Sequence, residues 1–168
     1  QSASIGPFSN VITNDTNVSN STAIGNGALV FQNNMMRLGN SAVTRIESQV
    51  GLTVVSDGRY KFNVKEEVKG LDFIKKLRPV VYQYDTEKMD SFLKTGAISN
   101  SKSTTSTNKQ MSTGFLAQEV VATAKELGYS FDGVHAPSND KDYYSIAYSQ
   151  FVMPLVKAVQ EQQAIIET

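Results

Sequence analysis

The sequence predicts an α+β domain closed by a C-terminal helix and preceded by a β-rich, solenoid-like stalk. Three observations lead there. Residues 1–50 carry very few charges, Arg37, Arg45 and Glu47 among them, and break into short apolar steps separated by Gly and Asn. The chain beyond them is charged and patterned like an ordinary globular domain. From about Ala147 a helical pattern runs towards the end. The expected division is a stalk over 1–51 and a domain over 52–168. The first residues read as the middle of something longer, so the chain is expected to be a fragment.

In the stalk, the steps are Ile5-Gly6, then Ala23-Ile24-Gly25-Asn26-Gly27-Ala28-Leu29, then Arg37-Leu38-Gly39-Asn40. Glycine at such intervals supplies the φ > 0 corners of tight turns. Short Val, Ile, Leu and Thr runs between those corners favour strands. No run has the length or period of an amphipathic helix. Such a layer cannot bury its apolar faces alone. The competing reading is a disordered linker, which so polar a composition also fits; Ile24, Leu29, Leu38, Val43 and Ile46 argue against it. Asn14, Asn17 and Asn20 each open a glycosylation sequon, but so Asn-rich a stretch produces these by chance.

In the domain, residues 68–79 read as a short helix with Leu71, Ile74 and Leu77 on one face and Pro79 ending it. Val80 to Tyr84 reads as a strand with Val80, Tyr82 and Tyr84 on one side. Ser99 to Thr113 is Ser/Thr-rich and reads as a mobile surface insertion. Gly114-Phe115-Leu116 returns to a strand or turn. A helix follows, with Leu116, Val120, Ala124 and Leu127 at helical spacing and Gly128 as its stop. Tyr143 to Ile146 reads as a short strand. In the last helix Val152, Val159 and Ile166 recur every seven residues, and Leu155 and Gln162 take the other seam position. That pattern fits association with copies of the same helix, as in a coiled coil, and equally fits packing on the helix's own domain. Pro154 falls in the first two turns, where proline is tolerated.

The bulk composition excludes several classes. Sixteen basic and sixteen acidic residues give a formal net charge of zero, which removes the broad attraction a nucleic-acid binder uses. With no cysteine there is neither a disulfide framework nor a thiolate metal site. His135 is the single histidine, so a histidine metal site is not expected. No apolar run reaches membrane-spanning length.

The stretch Ser56-Asp57-Gly58-Arg59-Tyr60-Lys61 stands where the two compositions meet. It puts a candidate nucleophile, Ser56, five residues before a candidate general base, Lys61. A serine hydroxyl needs a base to take its proton. An ordinary lysine, with a pKa of about 10.4, is protonated and needs burial or a neighbouring cation to serve as one. Arg59 is such a cation; Asp57 would act oppositely if it paired with Lys61. Two arrangements satisfy the spacing: Lys61 reaches Ser56 across a turn opened by Gly58, or it serves Ser56 of a neighbouring chain. The competing reading of the pair is a turn serine and a solvated lysine.

Four motifs now stand together: Ser56-Asp57-Gly58-Arg59-Tyr60-Lys61; Leu77-Arg78-Pro79-Val80-Val81-Tyr82; Gly114-Phe115-Leu116-Ala117-Gln118-Glu119-Val120; and Tyr148 with Pro154-Leu155-Val156-Lys157-Ala158-Val159-Gln160-Glu161. In this order and spacing they resemble the C-terminal intramolecular chaperone domain of endosialidases and phage tail spikes, classed as peptidase S74. The myelin regulatory factor carries a related domain. The resemblance runs from about Leu52 to the end. It departs from the family pattern at Phe62, where a charged residue is frequent, and in the long Ser/Thr insertion. The first half is similar, more loosely, to the repeats of trimeric adhesin heads and fibres.

The resemblance implies an intertwined homotrimer that assists folding of the fibre before it and then releases itself by cutting at Val55-Ser56, with Ser56 as nucleophile and Lys61 as base. It would be an autocatalytic serine endopeptidase acting only on itself, and the resemblance implies no cofactor. Asp57, Arg59, His135, Gln118 and Glu119 are candidate supporting residues. For His135, in a loop by composition, a lone exposed histidine is the competing reading; for Glu119, a favourable charge at a helix start. The implied partners are two further copies and the upstream fibre or spike, without nucleic acid or membrane insertion. The implied location is a virion tail fibre or spike, cytoplasmic during assembly, or a bacterial cell surface. Two rivals remain: a non-cleaving trimerisation cap of a surface or tail fibre, and a receptor-binding fibre tip. A hydrolase of outside substrates fits least.

Overall fold

A computed structural model describes residues 2–5, 10–11, 18–94, 111–140 and 142–168. The chain divides into two compact units, one of residues 1–50 and 83–110, the other of residues 51–82 and 111–168. The fold is mixed α/β and closes with a helix.

In the first unit, strands β1 (Ser2–Ile5), β3 (Ser21–Ile24) and β5 (Met36–Leu38) form one parallel sheet in that order, and β2 (Asn10–Val11) pairs in parallel with β4 (Leu29–Val30). Thr22 lies opposite Met36 and Ile24 opposite Leu38, so one coil returns after fourteen residues, the separation that also links Asn20 to Asn34. Asn20 and Asn34 both take left-handed backbone, with φ of 54° and 57°, which asparagine tolerates better than most residues. The Asn20 amide donates to Oδ1 of Asn34 at 2.8 Å, and Asn40 donates to the Asn26 carbonyl at 2.8 Å. Gly25 and Gly39 occupy equivalent corners at φ 106° and 71°. The interior is small: Ala23, Ala28 and Val30 are fully buried, with Val18 and Met35 against them. Ser21 is buried too, and its hydroxyl donates to the Gln32 carbonyl at 2.7 Å.

This unit also contains α2 (Thr86–Lys94), for which the sequence reading provided no element. Asp85 starts it by accepting the Lys88 N–H at 2.8 Å, as an N-cap does. Most of the expected Ser/Thr-rich insertion, together with Asn14 and Asn17, lies outside the described residues.

The second unit is built around Phe73. This ring is fully buried in α1 (Leu71–Ile74), and Val120, Ala124 and Phe151 complete the core. The expected face of Leu71, Ile74 and Leu77 is only partly buried, because α1 is a single turn and points one side chain inward. Phe131 and Tyr129 lie 5.0 and 5.2 Å from Phe73, centroid to centroid, within the range of favourable aromatic pairs. Strand β6 (Val80–Tyr82) pairs antiparallel with β7 (Ser112–Gly114). The strand pairing therefore takes Ser112 and Thr113, which composition assigned to the insertion, and leaves Tyr84 beyond the end of β6. Helix α3 (Ala117–Glu126) buries Ala117, Val120 and Ala124, and Gly128 at φ 59° follows it. Leu116 sits at its N-cap, half-exposed, and not in its packed face. A two-stranded ribbon joins β8 (Val134–His135) to β9 (Ser145–Ile146).

The last helix starts later than expected. Tyr148–Phe151 is a 3-10 turn, and α4 runs Val152–Ile166. Pro154 and Ala158 are its buried residues. Val152, Leu155, Val156, Val159 and Ile166 stay exposed on other sides. One face thus packs on the domain while the heptad positions remain open to solvent. No helix among the described residues is long and apolar enough to cross a membrane.

Candidate active site

Ser56 ends a stretch without regular structure, and the chain then makes one 3-10 turn, Gly58–Tyr60. Asp57 is its N-cap, with extended φ −72° and ψ 125°, and Oδ1 of Asp57 accepts the Arg59 N–H at 2.9 Å. The Tyr60 N–H donates to the Asp57 carbonyl and the Lys61 N–H to the Gly58 carbonyl, both at 3.1 Å. Lys61 returns to extended backbone at φ −104°, ψ 132°. The turn therefore folds Lys61 back on Ser56, and Nζ of Lys61 donates to Oγ of Ser56 at 2.6 Å. The two side chains expected to work together are in contact within one chain.

Gly58 does not open this turn through special backbone freedom. Its φ is not positive, and a Cβ there would meet nothing within 4 Å. The Asp57 cap makes the turn instead. A side-chain oxygen two residues before an amide is a local substitute for a backbone turn bond.

The Asp57 carboxylate is paired with Arg59. Nε and Nη2 of Arg59 donate to Oδ2 at 2.9 and 2.6 Å, beside the backbone bond. These bonds, the side-chain ones foremost, hold the Asp57 carboxyl below its ordinary pKa and raise that of Arg59. The guanidinium carbon also lies 5.8 Å from the Tyr60 ring centroid, within cation–π range. Among the ion pairs of the described residues, Asp57 pairs with Arg59 and not with Lys61.

The other candidate residues stand elsewhere. Glu119, in the first turn of α3, pairs with Arg78 through two side-chain bonds, Nε to Oε2 at 3.2 Å and a shorter one from Nη2. Glu119 raises the Arg78 pKa, by the hydrogen bond first. Gln118 is exposed beside it. His135 is not in a loop: it belongs to β8, and its Nε2 lies 2.8 Å from Oδ2 of buried Asp142. Asp142 also accepts the Ser138 N–H at 2.9 Å and the Tyr143 N–H at 2.8 Å, so His135 pins a connection beside the β8–β9 ribbon. Sequence reasoning missed Asp142 and Arg78. The acid seven residues after the lone histidine, and the arginine beside Pro79, carried no pattern that singled them out. Tyr148 accepts the Phe115 N–H on its hydroxyl at 3.0 Å, which ties the 3-10 turn before α4 to the G-F-L segment.

The scissile candidate, Val55-Ser56, and the dyad are open to solvent; Val55 is 84% exposed. No cluster of acidic or histidine side chains among the described residues is arranged to hold a metal.

Residues 56–129 match the family model for peptidase S74, described as chaperone of endosialidase. The chain is similar to that family over this segment, 74 of its 168 residues. The peptidase S74 match opens on Ser56, contains Asp57, Arg59, Lys61, Gln118 and Glu119, and ends at Tyr129. His135 and α4 lie beyond it. No curated protein and no solved structure matches the chain.

Proposed function

We propose that this chain is the end of a homotrimeric fibre or spike joined to a chaperone domain that trimerises it and then cuts itself free at Val55-Ser56. The observation that carries the reading is the 2.6 Å contact between Lys61 Nζ and Ser56 Oγ, on the first turn of the family match. In this reading, neutral Lys61 takes the Ser56 hydroxyl proton. Oγ bonds to the Val55 carbonyl carbon, the C–N bond breaks, and Lys61 returns the proton to the Ser56 amine. Water then hydrolyses the resulting ester, leaving a Val55 carboxylate and a free Ser56 N-terminus.

What one chain leaves in water supports association. Leu52 is fully exposed, Phe62 is 86% exposed, and Val50, Val54, Tyr60 and Val64 are also open. Burying each is worth about 1.5–3 kcal/mol, so the segment around the dyad is expected to be covered by other copies. Covering it also dries the site, and an apolar surrounding favours the neutral amine that the chemistry needs. Cutting would then report assembly. The parallel, fourteen-residue coils support a solenoid-like stalk. Aligning three such stalks is slow because the contacts are non-local, and a domain that trimerises first fixes their register. A virion fibre or a bacterial surface is the setting this implies.

The deciding experiment is intact mass and oligomeric mass of the wild-type chain beside Ser56→Ala and Lys61→Ala. A break at Val55-Ser56 in trimeric wild type, absent from both variants, is the expected result. A whole, trimeric wild type would leave a non-cleaving cap in its place. A monomer that cuts would sink the link to assembly.

A further inference from the structure

We propose that Asp57 and Arg59 are positioning residues for the dyad: Arg59 occupies the Asp57 carboxylate so that the Lys61 amine has Ser56 as its partner. This rests on the reading of Ser56 and Lys61 as nucleophile and base. The argument is one of competition. Asp57 lies four residues before Lys61 and one after Ser56, on the same turn. A carboxylate there would hold a lysine proton by ion pairing and draw the amine away from Oγ. The Arg59 fork prevents this: Nη2 donates to Oδ2 at 2.6 Å, Nε donates to both Oδ1 and Oδ2 at 3.1 and 2.9 Å, and the Arg59 N–H holds Oδ1 at 2.9 Å. An arginine fork matches a carboxylate with two parallel bonds, which a lysine ammonium does not. The same contacts close the turn that sets the Ser56-to-Lys61 reach.

The charged and titratable residues within six positions of Lys61 are few. They are Asp57, Arg59 and Tyr60 on the turn, then Lys65, Glu66 and Glu67, of which Lys65 and Glu67 pair at 3.3 Å. Among the described residues no ion pair reaches Lys61 from another element. The local competition is therefore decided inside this turn.

The test uses the full chain carrying Ser56→Ala, so that nothing is cut. Acylation of Lys61 by an amine-reactive acetyl ester is followed at about pH 8 by peptide mass spectrometry, with Lys65 and Lys69 as internal references. Arg59→Ala is expected to slow Lys61 acylation by about three-fold, the scale of an exposed ion pair. Adding Asp57→Asn to Arg59→Ala is expected to restore the parent rate, and Arg59→Lys to fall between. A purely structural role predicts the reverse order, with the double variant most disturbed. An unchanged rate in Arg59→Ala, or a double variant as slow as the single one, overturns the proposal. The same order is expected in self-cleavage of the Ser56-bearing chain. A wild type that does not cut defeats the cleavage reading, while the acylation series still decides the role of this pair.

Discussion

Oε2 of Glu161, in the last helix, accepts the backbone N–H of Leu71 at 2.7 Å, so a side chain of α4 caps the start of α1 ninety residues earlier. The residue between them in space is Gly70. A Cβ there would lie 2.7 Å from the Ala158 nitrogen and 2.8 Å from the Lys157 carbonyl carbon. Those are backbone atoms of a packed helix and cannot swing aside. Gly70→Ala is therefore expected to push α4 off α1 and cost about 1–3 kcal/mol, as overpacking does. Glu161→Ala leaves the Leu71 N–H part-buried without its acceptor, at about 1–2 kcal/mol; Glu161→Gln keeps an acceptor and is expected to cost less. Denaturant melts of the three variants check the order.

Gly114 and Tyr148 meet in the same way. A Cβ on Gly114 would run into the Tyr148 hydroxyl and stand 3.2 Å from Cε1 of Tyr82. The hydroxyl is placed there to accept the Phe115 N–H. Gly114→Ala is expected to destabilise by about 1–3 kcal/mol, and Tyr148→Phe by about 1 kcal/mol through the lost bond. In the double variant the clash is partly relieved, so its cost is expected to be less than the sum. Additive costs in a thermal double-mutant cycle would mean that the two residues are not coupled.

How much of this was legible in the sequence depends on how local the cause is. The Gly25 and Gly39 corners, α3 with its Gly128 end, and the Ser56-to-Lys61 pairing follow from neighbours within a few positions. The sequence also held, unread, the fourteen-residue period: Ile24-Gly25-Asn26 repeats as Leu38-Gly39-Asn40. Phe73 was missed because a one-turn helix has no periodicity to reveal its buried side. His135 was misplaced because Gly133 and Pro137 read as loop formers, whereas pairing with Ser145 made a ribbon. The partners Asp142 of His135 and Arg78 of Glu119 are set by tertiary packing, which residue spacing does not report.

Acid and alkali are expected to act on different places. The Asp57 carboxyl is held below its ordinary value, mainly by the Arg59 side chain and then by the Arg59 N–H. Its contribution is present above the ordinary carboxylate pKa and is lost as pH falls through the lowered folded value. The Arg59 amide signal should therefore shift late in an acid titration, and Asp57→Asn should abolish that shift. The Tyr129 hydroxyl is raised, by burial first and by Asp132 second. Its contribution is present below the ordinary tyrosine pKa and is lost as pH rises through the raised folded value. Thermal stability should fall as pH rises above about 10, less so in Tyr129→Phe.

In the first unit, Gly39 is at φ 71° and a Cβ there would press on the Val43 side chain. Val43 is half-exposed and can turn away, so the backbone sets the cost. Gly39→Ala is expected to lose about 1–2 kcal/mol. Asn34→Ala is expected to lose a similar amount, from the left-handed φ and the lost Asn20 bond, whereas Asn34→Gly keeps the backbone and loses less. Hydrogen exchange at the amides of Thr22 to Ile24 reads the change where β3 meets β5.

The two sides of α4 provide the sharpest separation of folding from assembly. Ala158 is buried against the α1 side, next to Gly70, while Val159 is 63% exposed on the heptad seam with Val152 and Ile166. A charge at Ala158 must enter a packed contact, so Ala158→Asp is expected to unfold the second unit. A charge at Val159 costs a single chain little, because the side chain is already in water. In a parallel three-chain seam it would face two copies of itself, removing three buried valines worth about 1.5–3 kcal/mol each and adding like-charge repulsion. If α4 forms the proposed three-chain seam, Val159→Asp is therefore expected to leave the circular dichroism of the unassembled chain unchanged while shifting sedimentation from trimer to monomer at micromolar concentration. If cutting requires assembly, the same variant should stay whole at Val55-Ser56. A trimer that survives Val159→Asp would move the assembling surface away from α4 and onto the exposed segment around Leu52 and Phe62.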